Sequence, residues 1–139
     1  MAIYKSNSAS DTQNIAFEFA KTISSGTVVC LYGEMGVGKT VFTNGLCRAL
    51  GVCEYATSPT FTVVNEYDSA DFPVYHFDMY RIDSWEDLYS IGFFDYMGNG
   101  LIVIEWSENI EGALPDDVIK VTITKGTDPE ERIIEIEGI

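Results

Sequence analysis

The sequence predicts a three-layer α/β domain in which a mixed β-sheet is flanked by helices. Three observations predict it: short apolar, β-branched runs with strand character, segments of helical periodicity between them, and a glycine-rich turn joining one such run to a helix. The 139 residues are expected to form one domain spanning 1–139, and 46% apolar content argues against a disordered chain.

Ser10 or Asp11 is placed to cap a helix that runs to about Ile23, with Ile15, Ala16, Phe19 and Ala20 at helical spacing. Gly26 ends that segment, and residues 27–32 (TVVCLY) read as a buried strand. A second helix is expected from about Lys39 to Leu50. Residues 60–67 and 74–80 read as two strands joined through the turn DSADFP, a hairpin. Ser84 with Asp87 three residues on resembles a capping box, so a short helix is expected over residues 85–90. LIVIE at 101–105 reads as another buried strand. Residues 118–124 and 132–137 alternate in the manner of a closing strand pair around KGTDPEE.

Gly33–Thr40 (GEMGVGKT) fits G-x-x-x-x-G-K-[ST] at every fixed position, after a strand and before a helix, which gives the domain its P-loop NTPase-like character. Glycines let such a loop turn its N–H groups onto phosphate oxygens, and the helix that follows adds its positive dipole end. Lys39 supplies a point charge toward the β and γ phosphates, and Thr40 a hydroxyl for magnesium, a cation that prefers oxygen ligands. A nucleoside triphosphate with Mg²⁺ is therefore the expected ligand, contacted by Gly33, Glu34, Met35, Gly36, Val37, Gly38, Lys39, Thr40 and the adjoining Val41.

A magnesium site usually draws a carboxylate from the end of a neighbouring strand, and Glu105 closes LIVIE in that position. Asp78 ends a strand in the same way, fit to orient water, to act as a base or to support the metal; the alternative is a turn or cap carboxylate. Arg81 suits a salt bridge as well as a γ-phosphate contact. In the SPTFT segment, Thr60, and after it Ser58, are candidate γ-phosphate sensors, the alternative being a turn with a strand start. His76, the sole histidine, is expected as a packed strand residue, and Trp85 and Trp106 as core or interface aromatics, with Trp106 next to Glu105. No N-K-x-D run is present to select guanine, so adenine is preferred; D-x-x-G at Asp95–Gly98 is read as coincidence.

With 8 basic against 22 acidic residues, the net charge is −14. Nucleic-acid binding draws on Lys and Arg to neutralise phosphates, so no DNA is expected and RNA only through a partner. No run of about 18 apolar residues suggests a membrane span, and the N-terminal stretch has no secretory apolar core. Three cysteines at no zinc spacing suit reduced thiols and a cytoplasmic protein.

LYGEMGVGKT, SPTFTVVNEY, HFDMYRID, Asp87-Leu88 with IGFFDY, and LIVIEWSEN, in this order, resemble the TsaE (YjeE) family of small bacterial P-loop ATPases required for threonylcarbamoyladenosine modification of tRNA. The resemblance implies ATP as ligand, magnesium at Thr40 and Glu105, and Asp78 as important for activity. It also implies Thr12 near the nucleotide base, Arg132 bordering the site, and TsaD/TsaB-type partners that carry the tRNA. Lys39, Asp78 and Glu105 are then the expected catalytic set of a weak, partner-stimulated ATPase. Where the family has Asp-Leu-Gly-Ala, this chain has Glu34-Met35-Gly36-Val37; where it often has Pro, this chain has Ser107. Alternatives are a small-molecule kinase, disfavoured by only three arginines (Arg48, Arg81, Arg132), and a nucleotide-gated binding module without hydrolysis.

Overall fold

The computed structural model describes residues 1–59, 62–69 and 71–138. Seven strands form one mixed sheet: β1 (Ala2–Ser6), β2 (Val28–Tyr32), β3 (Val64–Tyr67), β4 (Val74–Asp78), β5 (Leu101–Glu105), β6 (Ile119–Lys125) and β7 (Arg132–Glu137), in the order β1-β7-β6-β2-β5-β4-β3. The central four, β6, β2, β5 and β4, are mutually parallel, while β3, β7 and β1 are added antiparallel at the two edges. Tyr32, Asp78 and Glu105 thus end neighbouring parallel strands at one edge of the sheet, where open α/β sheets bind ligands.

Strand alternation divides the core. Val29, Leu31, Leu101, Val103, Val121 and Ile123 face α1 (Ala9–Ala20) and α2 (Lys39–Ala49). Val28, Cys30, Ile102, Ile104 and Phe77 face the other way, against α3 (Trp85–Ser90), α4 (Phe93–Tyr96) and a 3-10 helix over Ser107–Ala113. Because both faces are covered, every residue of LIVIE is buried, which is why that run carries no polar alternation. The expected hairpin, the closing strand pair and the Ser84 cap, whose Oγ accepts from the Asp87 N–H, are all present.

Several boundaries move. Ser8, not Ser10 or Asp11, caps α1, accepting from the Asp11 N–H at 3.0 Å. That helix ends at Ala20 rather than Ile23 because Thr22 and Ile23 bond three residues back, to Phe19 and Ala20, in a tightened last turn. The strand expected from residue 60 begins at Val64, since Val63 has φ +70°, a left-handed conformation that breaks extended backbone; Thr60 and Phe61 lie outside the described residues. β1, α4 and the 3-10 helix were not anticipated.

Candidate functional site

The loop from Gly33 to Gly38 leaves β2 and enters α2, so it crosses the edge at which the parallel strands end. Two glycines are fixed by geometry. A Cβ on Gly33 would lie 2.6 Å from the Ile123 carbonyl of β6, and Gly38, the residue before α2, has φ +117°. Gly38 offers no side chain to cap α2, and among the described residues no capping side chain bonds the N–H groups of its first turn. Glu34, Met35 and Gly36 form the exposed outer side of the loop, and Val37 is buried beneath it.

A cleft of about 310 Å³ opens over this loop, lined by Gly36, Gly38, Lys39, Thr40, Asp78 and Glu105, with Met35, Val41, Ser58 and Trp106 completing it. Three separate chain segments therefore deliver the expected cation, hydroxyl and two carboxylates to one place. Asp78 and Glu105 are register partners at the ends of β4 and β5. By strand parity with Val74 and Val103, both point to the face that carries α2. Asp78 Oδ1 accepts from the Tyr80 N–H at 2.8 Å. Lys39 Nζ lies 4.9 Å above the Trp106 ring, whose residue holds φ +60° directly after Glu105.

Ser58 reaches the cleft because Asn44 of α2 fixes the segment before it: the Ala56 N–H donates to Asn44 Oδ1 at 2.6 Å, and Asn44 Nδ2 donates to the Ala56 carbonyl at 3.0 Å. Thr60 lies outside the described residues. Arg81 is exposed in the turn after β4 and does not line the cleft. Asp95 and Gly98, the D-x-x-G pair, do not line it either.

A second hollow of about 120 Å³ lies on the other side of the loop, bounded by Thr12, Gly36, Val37, Gly38, Val41 and Arg132 among others. Thr12 is buried, its hydroxyl 2.7 Å from that of Ser6. Arg132 Nε donates to the Val37 carbonyl at 2.8 Å, and its terminal nitrogen Nη1 to the carbonyls of Pro129 and Glu131. Beside it, the Thr127 N–H and Lys5 hold the Glu131 carboxyl below its ordinary value.

Two residues of consequence were missed from sequence. His76 is fully buried with Nε2 2.5 Å from Glu105 Oε2, where packing alone was expected; the period-2 spacing His76–Asp78 was the available signal. Asn44 carried none, since a polar residue in an amphipathic helix ordinarily faces water.

The donor set fits a magnesium-bound polyphosphate. Among the described residues no group of three His, Cys, Asp or Glu could enclose a metal. A hydroxyl and one or two carboxylates around an open cleft suit Mg²⁺, which takes its remaining oxygens from phosphate and water.

A model of the family described as "Threonylcarbamoyl adenosine biosynthesis protein TsaE" matches residues 6–134. The chain is similar to the tRNA threonylcarbamoyladenosine biosynthesis protein TsaE of Bacillus subtilis, 38% identical over 125 residues that cover 88% of this chain and 77% of the relative. It is also similar to that of Rickettsia bellii, 37% identical over 131 residues covering 94% and 90% of the two chains. Among solved structures, Bacillus subtilis YdiB superposes with a TM-score of 0.79 at 32% identity, covering 96% of this chain and 82% of the other.

Proposed function

The chain belongs to the TsaE family of tRNA threonylcarbamoyladenosine biosynthesis proteins, and we propose that its part in that pathway is to bind ATP with Mg²⁺ and hydrolyse it in concert with TsaD/TsaB-type partners. The observation that carries this reading is the convergence of Lys39, Thr40, Asp78 and Glu105 on one cleft at the carboxyl edge of the parallel strands.

Lys39 and the amides at the start of α2 hold the phosphates. The Thr40 hydroxyl and the Glu105 carboxylate hold magnesium, which neutralises phosphate charge when bound. Asp78, steadied by the Tyr80 N–H, orients water for attack on the γ phosphorus; the bond to the bridging oxygen breaks, and ADP and phosphate leave. The second hollow, with Thr12 and Arg132, takes the base end of the nucleotide. Thr60 reports the γ phosphate from the segment after Ser58. Catalysis of this kind is positioning and charge stabilisation, and the cleft lining offers a single cation among the described residues, so turnover without partners is slow. A net charge of −14 leaves the tRNA to those partners, in the cytoplasm.

The test combines titration calorimetry of Mg-ATP with product analysis, with and without partner proteins, tRNA and threonylcarbamoyl-adenylate. Saturable binding, free phosphate and multiple-turnover tRNA modification dependent on this chain are expected. A phosphorylated small molecule instead of phosphate would assign a kinase. Binding without hydrolysis in the complete mixture would assign a nucleotide-gated module.

A further inference from the structure

His76 sits two residues before Asp78 on β4, with relative exposure of 0%. Its side chain crosses to the neighbouring strand, placing Nε2 2.5 Å from Glu105 Oε2. As a metal ligand Glu105 would be ionised and could only accept, so Nε2 would then donate in this contact. Nδ1, on the far side of the ring, is buried with no partner among the described residues. An imidazole retained in a core with one nitrogen unsatisfied is poor packing material, because an apolar side chain of similar size would leave nothing unpaired. Among the described residues, the polar contact the ring makes is to the carboxylate that lines the cleft.

We propose that His76 is a positioning residue for Glu105: it holds Oε2 back against the sheet so that Oε1 is the oxygen presented to the divalent cation, and it thereby sets the magnesium requirement of nucleotide binding. The proposal rests on the reading of the cleft as a Mg-ATP site. The physical reason is general: a carboxylate whose rotamer is fixed by a second hydrogen bond gives up less freedom on binding a metal, and losing such a partner costs affinity.

The experiment titrates Mg²⁺ against a fluorescent ATP analogue bound to the unsubstituted protein and to His76→Leu, His76→Gln and Glu105→Gln, with binding in excess EDTA as the metal-free reference. His76→Leu is expected to raise the Mg²⁺ midpoint about 10-fold or more while leaving EDTA binding unchanged. His76→Gln, whose amide reaches to where Nε2 lies, is expected to recover most of the shift. In the Glu105→Gln background, His76→Leu should shift nothing further. A folded His76→Leu protein with an unmoved midpoint overturns the proposal, as does an undiminished shift in the Glu105→Gln background. If His76→Leu does not fold, His76→Gln is compared with His76→Asn, whose shorter amide cannot reach; equal midpoints overturn the proposal and unequal ones uphold it. Absence of any Mg-dependent nucleotide binding by the unsubstituted protein would instead remove the Mg-ATP reading itself.

Discussion

Arg132 Nε and the main-chain oxygen of Val37 are 2.8 Å apart although the residues are 95 positions distant in sequence, so the first residue of β7 is tied directly to the glycine-rich loop before α2. Val37 is buried, and its carbonyl has this guanidinium as its side-chain donor. Arg132→Met keeps the aliphatic stem and removes the donor. The expected cost is about 1–2 kcal/mol of stability, because a buried acceptor is left unpaired. That corresponds to a fall in Tm of about 3–6 °C, measured by calorimetric melting. Nucleotide affinity should fall with it, since the loop is no longer braced; an unchanged Tm and affinity together would show the contact to be idle.

Gly45 in α2 invites the opposite of the usual helix rule. Replacing an interior helical glycine by alanine ordinarily stabilises by up to about 1 kcal/mol. Here a Cβ would stand 2.4 Å from the Gln13 carbonyl and 2.7 Å from Ala16 Cβ of α1, contacts neither backbone nor a small packed residue relieves cheaply. Gly45→Ala is therefore expected to destabilise by about 1–3 kcal/mol, the range of an overpacked core. Urea unfolding reads this as a lower midpoint at unchanged slope; an equal or higher midpoint would mean the two helices can separate without loss.

The contrast between these two positions shows what the sequence made legible. Gly33, Gly38, Lys39 and Thr40 announce themselves because a phosphate cradle needs those residue types at fixed spacing, and LIVIE because a strand covered on both faces is apolar throughout. β1 was hidden: as an edge strand it exposes Ile3 and Tyr4 and buries only Ser6 completely, so AIYKS lacks the apolar alternation that marks a half-buried strand. The 3-10 helix was hidden because its start is set by the left-handed Trp106 and its interior is broken at Ile110, features with no periodicity to read. Site residues that act through others, His76 on Glu105, Asn44 on Ala56 and Arg132 on Val37, depend on contacts made by folding, and only Arg132 was anticipated near the site, through family resemblance rather than spacing.

The thiols give a pH prediction with a definite sign. Burial pushes Cys30 up to about 11 and Cys47 up to about 12, whereas Cys53 is exposed. A buried thiol is unreactive both because it is covered and because the nucleophile is the thiolate. At pH 8, iodoacetamide should modify Cys53 alone in the native protein and all three cysteines in urea, read by mass spectrometry. In the folded state protons are held more tightly than in the unfolded chain, so stability is intact below pH 9.0, the ordinary thiol value, and declines as pH rises toward 11 and 12. Cys47→Ala should flatten the upper part of that decline.

Asp78 and Glu105 are register partners on adjacent strands, and the proposed function gives them different work. Glu105 is held by a side chain, His76, and Asp78 by a main-chain N–H, that of Tyr80. Asp78→Asn keeps the oxygen that accepts this bond, so the turn after β4 is preserved while the charge that orients water is lost. Nucleotide binding should be spared and turnover reduced about 100-fold or more, the scale on which misplacement of a reacting group slows catalysis. Glu105→Ala should instead raise the Mg²⁺ concentration needed for turnover, and Lys39→Ala should abolish turnover by removing the cation from the phosphates. Separate measurement of ATP affinity and single-turnover rate distinguishes these outcomes. If Asp78→Asn loses binding and turnover in equal measure, its carboxylate belongs to the binding set and the attacking water is oriented by another group of the cleft.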